Sequence, residues 1–169
     1  MKVKQLNRPT KERMAIMRNQ ATDLLWKGKI ETTVARAKSL RSYVEKILTL
    51  AINSFEDVVK VTKVSINKAG EKVSREVLND GPTKLAARRK IMAKTYTVKE
   101  ERKPGEKKAD YLARIDNIKH PLLEKIFNVY APKYAARNKE QGVGGGYVRI
   151  LKLGKRKGDA ADMALIELI

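Results

Sequence analysis

The chain contains no cysteine and a single histidine among its 169 residues. Without thiols, a disulfide scaffold, a zinc site with cysteine ligands and a cysteine nucleophile are all excluded. His120 stands directly before Pro121, and no second histidine is present to complete a metal site or a catalytic dyad. We therefore interpret His120 as a loop residue or the first residue before a helix, and we expect no metal, no cofactor and no enzymatic activity.

Aromatic residues make up only 5% of the chain, and no apolar run approaches the ~18 residues that a membrane span needs. Residues 1–18 contain cations but no apolar core of a secretion signal. We therefore expect a cytoplasmic protein without a membrane span. The few aromatic side chains also disfavour a single-strand binder that stacks bases, and favour recognition of phosphate and shape in a folded nucleic acid.

Basic residues greatly outnumber acidic residues in the sequence. Lys and Arg number 38 against 19 Asp and Glu, which gives a formal net charge of +19, while 42% of the residues are hydrophobic. This apolar share indicates a folded protein, and the length suits one domain over 1–169. The excess of cations predicts a polyanionic partner, which on charge alone could be RNA, DNA or an anionic membrane surface.

The charge is unevenly distributed along the chain. Residues 1–50 have a net charge of +8 and residues 83–158 of +14, whereas residues 51–82 are neutral and residues 159–169 carry −3. An even spread would be expected if the cations served only solubility. Two basic regions therefore flank a neutral segment.

Apolar spacing predicts the regular elements of the first region. Residues 10–27 show a helical stripe that ends at Gly28, and residues 29–33 are typical of a strand. A second helix follows, with Thr32 or Thr33 as its N-cap. Its predicted core face consists of Ala37, Leu40, Val44, Ile47, Leu48 and Ala51.

The second basic region predicts two more helices and two strands. Residues 83–94 form a helix with Leu85, Ala86, Ile91 and Met92 as candidate core positions. Residues 121–137 form another, in which Pro132 should kink or shorten the last turn. Antiparallel strands are expected at 147–153 and 163–168.

The order of these elements predicts a two-layer α+β fold. A small mixed three-stranded sheet would be covered by about four helices in the order α-β-α-α-α-β-β. Two segments interrupt this core. Residues 53–82 are rich in valine and could form a hairpin around a turn at 67–70, and residues 96–118 are expected to form a basic loop because their charged run has no core anchor.

Two glycine-containing motifs invite a binding interpretation. Residues 142–146 are glycine-rich, but the last glycine of a dinucleotide motif is missing and a strand follows, so a tight bend is favoured over a nucleotide site. Between Gly154 and Gly158 lie three adjacent cations, Lys155, Arg156 and Lys157. Either a phosphate contact or a solvated turn explains them, and the net charge favours the phosphate contact.

Other candidate contacts carry a comparable ambiguity. The cluster at 88–90 contains Arg88 and Arg89 and has the same two interpretations. Cations on the outer face of the second helix suit an ordinary solvated surface nearly as well. Tyr134 and Tyr147 could stack on unpaired bases, or could pack in the core.

Several short blocks occur in an order that is typical of one family. They are Asn-Arg-Pro at 7–9, Met-Ala-Ile-Met-Arg-Asn at 14–19, Gly-Lys-Ile-Glu-Thr-Thr at 28–33, Ala-Arg-Ala-Lys at 35–38, Ala-Arg-Arg at 87–89, Lys-Ile-Phe at 125–127, Ala-Pro-Lys-Tyr at 131–134, Gly-Gly-Tyr-Val-Arg-Ile at 145–150, Gly-Asp-Ala-Ala at 158–161 and Ile-Glu-Leu at 166–168. Over residues 4–52, 83–95 and 119–169 the chain resembles the bacterial large-subunit ribosomal protein L17 family.

The resemblance implies a structural protein that binds large-subunit ribosomal RNA near the outer side of the polypeptide exit region, beside neighbouring ribosomal proteins, without catalysis or cofactor. It implies RNA-facing residues at Arg8, Arg13, Arg18, Arg36, Lys38, Arg41, Arg88, Arg89, Arg137, Arg149, Lys152, Arg156 and Lys157. To these the sequence adds four candidates of its own, Lys11, Lys133, Tyr147 and Lys155.

The chain departs from the family pattern at Lys11-Glu12-Arg13, where the family usually has a basic element with a histidine. The segments 53–82 and 96–118 are also longer than the short connections typical of the family. A DNA-packaging protein or another polyanion-binding protein remains the alternative function, and an enzyme is a third candidate without a usable set of acid, base and nucleophile.

Overall fold

Helices and two small antiparallel sheets alternate along the chain in a computed structural model that describes residues 5–66, 72–116 and 118–169. The elements are α1 (Thr10–Lys27), β1 (Lys29–Thr33), α2 (Val34–Ile52), β2 (Val58–Ile66), β3 (Lys72–Asp80), α3 (Pro82–Met92), α4 (Lys108–Ile115), α5 (Pro121–Lys125), a π-helical segment (Ile126–Tyr130), α6 (Ala131–Gln141), β4 (Val148–Lys155) and β5 (Asp162–Leu168). The predicted α+β class is confirmed. No helix in the described part of the chain is long and apolar enough to span a bilayer.

The first helix and strand have the predicted bounds because a glycine separates them. Gly28 adopts φ 85°, and its N–H donates to the carbonyl of Leu24 at 2.8 Å. This left-handed conformation ends a helix at low cost only when the residue is glycine. The chain can therefore turn directly from α1 into β1.

Helix α2 forms the centre of the core. All six apolar residues predicted from its periodicity are fully buried. They pack against α1, the last helix and the three-stranded sheet. The helix begins after Thr33, but no side chain caps its first turn. Its opposite side is left to water, which is the amphipathic pattern that drives a surface helix onto a core.

The predicted effect of Pro132 is only partly right. The helix does not shorten; it widens into the π-helical segment directly before α6 and continues to Gln141, where Gly142 ends it at φ 63°. Proline lacks the N–H that an α-helix would use at this position, and a π-helical turn accommodates that loss. Beyond this segment, α6 packs against α2.

Strands β1, β5 and β4 form one sheet in that spatial order, and both pairs are antiparallel. The prediction of a mixed sheet is therefore wrong. β5 returns from β4 through a short turn and is then flanked by β1 on its other edge, with Ile30 opposite Ile166. One face of the sheet is buried against α2, whereas Leu151 and Leu153 are exposed on the other.

The neutral segment folds as a two-stranded antiparallel hairpin of β2 and β3, from Val58 opposite Asp80 to Ile66 opposite Lys72. The turn predicted at 67–70 lies outside the described residues. At the base of the hairpin, Asp57 caps α3, because its carboxylate accepts the amide of Thr83 at 2.8 Å and the Thr83 hydroxyl. Gly81 lies so close that an added Cβ would collide with this carboxylate.

The core contacts predicted for α3 are mostly wrong. Ile91 is buried as expected, but Leu85 and Met92 are 40% and 42% exposed and Ala86 is also exposed. Ala87 is buried in their place. The helix has only 11 residues and touches the core along one narrow strip, so the wider apolar set has nothing to pack against.

The segment at 96–118, predicted as a loop, contains helix α4. Arg114 organises it by donating to Glu106 at 2.9 Å and 3.2 Å and by pairing with Glu100. The Tyr111 hydroxyl donates to the backbone carbonyl of Glu100 at 2.8 Å. Charged contacts, instead of an apolar core, hold this helix, and for that reason hydrophobic spacing did not predict it.

Candidate nucleic-acid interface

The predicted contact residues differ widely in their exposure. Eleven are exposed, namely Arg8, Lys11, Lys38, Arg41, Arg89, Lys133, Arg149, Lys152, Lys155, Arg156 and Lys157. Five are half-buried, namely Arg13, Arg18, Arg36, Arg88 and Arg137. Tyr147 is buried, with 3% of its surface exposed. A contact to a large polyanion requires exposed groups, so for the half-buried and buried residues the contacts within the fold decide whether they remain candidates.

Backbone hydrogen bonds order the connection between β4 and β5, which we call the cationic turn (residues 155–161). The amide of Arg156 donates to the carbonyl of Ala161 at 2.9 Å, and the amide of Ala160 donates to the carbonyl of Arg156 at 2.9 Å. Arg156 also grips Asp159 with two guanidinium nitrogens, at 2.8 Å and 2.5 Å. The bridge fixes the turn and leaves Lys155 and Lys157 exposed without an ion-pair partner among the described residues.

This ion pair determines the electrostatics of the cationic turn. Hydrogen bonds from Arg156, with a further one from the amide of Ala161, hold the pKa of the Asp159 carboxyl well below its usual range. The same contact raises the pKa of Arg156. Asp159 therefore remains ionised near neutral pH and balances one of the three cations. The two lysines supply the net positive charge that the turn presents.

A second group of exposed cations lies on helix α2. Lys38 and Arg41 are exposed and Arg36 is half-buried. In the described part of the chain none of the three forms an ion pair with a carboxylate. Because the buried side of α2 is fixed in the core, these cations are held on a rigid support.

The start of α1 adds a third group. Arg8 pairs with Glu12 at 3.0 Å, Lys11 is exposed, and Arg13 donates weakly to the hydroxyl of Thr10 at 3.4 Å. The pairing of Arg8 with Glu12 is the familiar four-residue spacing of an exposed helix pair, which is worth little in water. Such a pair leaves Arg8 free to exchange its carboxylate partner for a phosphate.

Arg18 is placed farther along the same helix, against the hydroxyl of Tyr43. Burial raises the pKa of Tyr43, and the neighbouring Arg18 guanidinium partly offsets that effect. The Tyr43 hydroxyl donates to the backbone carbonyl of Lys94 at 2.9 Å. Nε of Arg18 is buried without a hydrogen-bond partner among the described residues. Its guanidinium thus touches the fold on one side while the residue stays partly open to solvent.

Two exposed cations lie on β4, the edge strand. Arg149 is 56% exposed in its side chain and is 3.7 Å from the carboxylate of Glu167 on the neighbouring strand. Lys152 is exposed next to a bulge between Lys152 and Gly154. The strand thus leads from a weak surface ion pair into the cationic turn. Because they are three positions apart, Arg149 and Lys152 lie on opposite faces of this edge strand.

Arg88 is engaged within the fold, contrary to its predicted role. Its guanidinium binds Asp80 at 3.0 Å, pairs with Glu124, and lies 5.6 Å from the centre of the Phe127 ring. Only 20% of its side chain is exposed. A phosphate would have to displace two carboxylates, so Arg88 joins the hairpin base to α3 and α5 instead. Its neighbour Arg89 is exposed and remains a candidate contact.

Arg137 and Tyr147 are also structural. The Arg137 guanidinium lies 5.3 Å and 5.1 Å from the ring centres of Tyr134 and Tyr147, and it donates to the carbonyl of Gly145 at 2.5 Å. The Tyr147 hydroxyl hydrogen-bonds the side-chain amide of Asn138 at 2.9 Å. A buried tyrosine has no free face for a base, so the stacking role considered for Tyr147 is wrong. Arg137 instead holds the glycine-rich bend against α6.

Tyr134 and Lys133 complete this corner. Tyr134 is fully buried, and desolvation raises the pKa of its hydroxyl to about 12. Lys133 is exposed, lies 5.4 Å from the Tyr134 ring and donates to the backbone carbonyl of Ile169 at 2.9 Å. One contact to a carbonyl leaves its charge uncompensated. Lys133 therefore stays among the candidate contacts.

Sequence reasoning missed the internal partners that remove cations from the interface. The i,i+3 spacing of Arg156 and Asp159 was a signal for their pair. The partners of Arg88 and Arg137 lie on other elements, so no local spacing could identify them. Lys125 is a further case, since it donates to the carbonyl of Trp26 at 2.6 Å across the fold.

An open hollow of about 280 Å³ is lined by residues that include Trp26, Glu100 and Lys125, and a more enclosed cavity is smaller. This smaller cavity has a volume of about 50 Å³ and is lined by residues that include Tyr96, His120 and Leu123. Ligand pockets typically measure several hundred Å³. In residues 5–66, 72–116 and 118–169, no group of three or more His, Asp or Glu is placed to hold a metal ion. Among the described residues, the feature best suited to binding a large partner is therefore the exposed positive charge.

Comparison with known proteins finds relatives that align with nearly the whole length of the chain. The family model of ribosomal protein L17 matches residues 16–169. The chain is 37% identical to the large ribosomal subunit protein bL17 of Lachnospira eligens, over 99% of both chains. It is 31% identical to the bL17 protein of Acetivibrio thermocellus, over 98% of both, and 35% identical to that of Clostridium tetani, over 98% of this chain and 96% of the relative.

Proposed function

The chain belongs to the ribosomal protein L17 family, and we propose that it is a structural component of the bacterial large ribosomal subunit that binds large-subunit ribosomal RNA. It works in the cytoplasm beside neighbouring ribosomal proteins and supports translation without catalysing a reaction. The RNA contact lies near the polypeptide exit region. The observation that carries this proposal is that exposed, unpaired cations are fixed on rigid supports, above all on the cationic turn and on α2.

The mechanism is neutralisation of phosphate by cations at fixed separations. Each Lys or Arg that approaches the RNA backbone releases condensed counterions, which drives binding and makes it salt-dependent. A small core with fully buried α2 residues keeps these cations in place before binding, so little conformational entropy is lost on association. Phosphate contacts of this kind orient the protein on the RNA and carry no direct sequence information.

The proposed contact set omits the three residues that the fold itself uses, Arg88, Arg137 and Tyr147. It consists of Arg8, Lys11, Arg13, Arg18, Arg36, Lys38, Arg41, Arg89, Lys133, Arg149, Lys152, Lys155, Arg156 and Lys157. Two guanidinium nitrogens of Arg156 already donate to Asp159, so replacing the lysines on either side is the clearer test of the cationic turn.

The test replaces Lys155 and Lys157 by Ala and measures binding of a large-subunit RNA fragment at several salt concentrations. Loss of two phosphate contacts should reduce the slope of log affinity against log salt by about 1.4 to 1.8. The control is Lys60→Ala with Lys72→Ala, which removes the same charge from the exposed hairpin. Equal slopes for the two double variants would remove the cationic turn from the RNA site.

A second measurement tests membership in the subunit. A tagged copy of the full chain, expressed in a bacterium, should sediment with large subunits and stay with them through a high-salt wash. A DNA-packaging protein would sediment with the nucleoid instead. Sedimentation away from large subunits would reject the proposed function.

A further inference from the structure

The hairpin of β2 and β3 has two chemically different faces. Because side chains alternate along a strand and residues in register share a face, the pairing assigns every described hairpin residue to one side. One side carries Val59, Val61, Val73 and Val77 together with Lys63, Arg75, Ser65 and Asn79. We call it the valine face. It contains two cations and no carboxylate.

The opposite face has its own balance of charge. It carries Lys60 and Lys72 together with Glu76 and Asp80, and its exposed apolar residues are Val58, Val64, Ile66 and Leu78, so the two faces differ in charge and not in apolar content. Glu76 is placed diagonally from Lys60, within reach of a long side chain, and Asp80 binds Lys84 at 3.1 Å at the hairpin base. The formal charges of the described residues on this face thus sum to zero, whereas those on the valine face sum to +2.

Lys63 and Arg75 are directly opposite each other in the register. Like charges at such positions destabilise a two-stranded sheet, and in the described part of the chain neither residue has an ion-pair partner. Around them Val59 and Val61 are 45% and 37% exposed. An isolated hairpin is marginally stable in water. A ligand that supplies an anion between the two cations and covers the valines would relieve both costs.

The chemistry of this face favours a protein over RNA. RNA binding to a sheet surface relies on aromatic side chains for stacking or on a dense row of cations. The strands β2 and β3 contain no aromatic residue, and four valines surround the single pair of cations. An RNA backbone offers phosphates but little apolar surface to cover valine. A protein segment can offer carboxylates and apolar side chains together.

We propose that the valine face docks an extended protein segment in which one acidic side chain has an apolar side chain two positions away on either side, with that carboxylate seated between the Lys63 ammonium and the Arg75 guanidinium. The apolar side chains of that segment cover the four valines on either side of this contact. The surface is separate from the proposed RNA contact set, so the inference does not depend on RNA binding. It assigns the neutral hairpin to protein contact and the basic regions to nucleic acid.

The test uses the full chain and a synthetic peptide, Thr-Val-Thr-Glu-Thr-Val-Thr, whose valines and glutamate share one face when the peptide is extended, at about 0.15 M salt. NMR chemical shifts locate the bound peptide, and its fluorescence anisotropy gives the affinity. The hairpin amides of β2 and β3 should shift, and Lys63→Glu with Arg75→Glu should weaken binding about tenfold. Lys60→Glu with Lys72→Glu, the same charge change on the opposite face, should weaken it less than about twofold.

Two further probes keep the interpretation specific. The same peptide with glutamine in place of the glutamate should bind much more weakly, because it lacks the carboxylate. An RNA duplex should not shift the hairpin amides. The proposal is overturned if both double variants lose affinity equally, if the acidic peptide shifts only residues outside the hairpin, or if the RNA duplex binds the valine face in preference to the peptide.

A single substitution tests the premise without a ligand. Lys63→Glu places a carboxylate directly opposite Arg75, so the amides of the hairpin in the full chain, without a ligand, should become more protected from hydrogen exchange. The matched change Lys60→Glu should give no such gain, since it adds a carboxylate beside Glu76. Unchanged or faster exchange in Lys63→Glu would show that the opposed cations do not destabilise the hairpin.

Discussion

Replacing Arg137 by Ala should unfold the corner that joins α6 to β4 at a measurable cost in stability. The guanidinium lies against two tyrosine rings and donates to the carbonyl of Gly145, with a second, longer contact of 3.4 Å to the carbonyl of Gly146. Removing it exposes the buried ring of Tyr147 and leaves these carbonyls without their donor. The change should therefore act on folding, not on RNA contact.

The expected magnitude follows from these contacts. Each cation–π contact contributes roughly 0.5–1 kcal/mol, and a hydrogen bond from a charged donor about 1.5 kcal/mol at the lower end of its range. The sum is roughly 2.5–3.5 kcal/mol in the free energy of unfolding. For a chain of this length, each kcal/mol lowers Tm by about 2–4 °C, so Arg137→Ala should lower Tm by roughly 5–14 °C.

Thermal unfolding followed by circular dichroism measures this shift, and RNA binding well below Tm measures the other side of the prediction. Arg137→Lys keeps the charge but loses the planar guanidinium, so it should recover only part of the stability. Arg89→Ala, an exposed change, should stay within about 0.5 kcal/mol. If Arg137→Ala melts like the unaltered chain and reduces the salt slope of RNA binding by about 0.7–0.9, its guanidinium binds phosphate and the structural role is refuted.

Two other substitutions separate folding from binding. Asp57→Ala should lower Tm at pH 7, because the Thr83 hydroxyl, which donates to the carboxylate, is the main reason that the pKa of Asp57 lies below its ordinary value of 3.8. This stabilisation is complete above about pH 4 and is lost as the pH falls through the lower pKa of the folded state, so the two melting curves should converge in acid; a constant difference would contradict the role of the ionised cap. Ile47→Ala empties a fully buried position of α2 and should cost about 2–5 kcal/mol by chemical denaturation. Its salt slope for RNA should be unchanged, and a changed slope would show that the core alters the cation positions.

Local sequence signals predicted the elements that depend on local physics. The apolar period of α2 identified its six buried residues, and Gly28 identified the end of α1. Helix α4 was not predicted, because ion pairs of Arg114 with two glutamates stabilise it and hydrophobic spacing contains no information on ion pairs. The antiparallel pairing of β1 depends on its joining β5 and not β4, which runs in the opposite direction to β5, and that choice is a property of the whole chain.

The candidate interface shows the same division. Exposure of Lys38, Lys155 and Lys157 could be predicted, because hydrophilic cations outside an apolar stripe face water. The internal role of Arg88 could not be predicted, since its partners Asp80 and Glu124 come from distant segments. Composition therefore identifies how much charge is available, and tertiary structure decides which part of it reaches a partner.

The close packing at the base of the hairpin fixes the point at which this extension leaves the core. Asp57 and Gly81 clamp its two ends, leaving no space for even a methyl group on Gly81. Nine paired residues per strand carry the tip roughly 30 Å from this clamp. The far end of the hairpin can therefore contact a partner well outside the core, while Asp57 and the first turn of α3 hold its attachment in place.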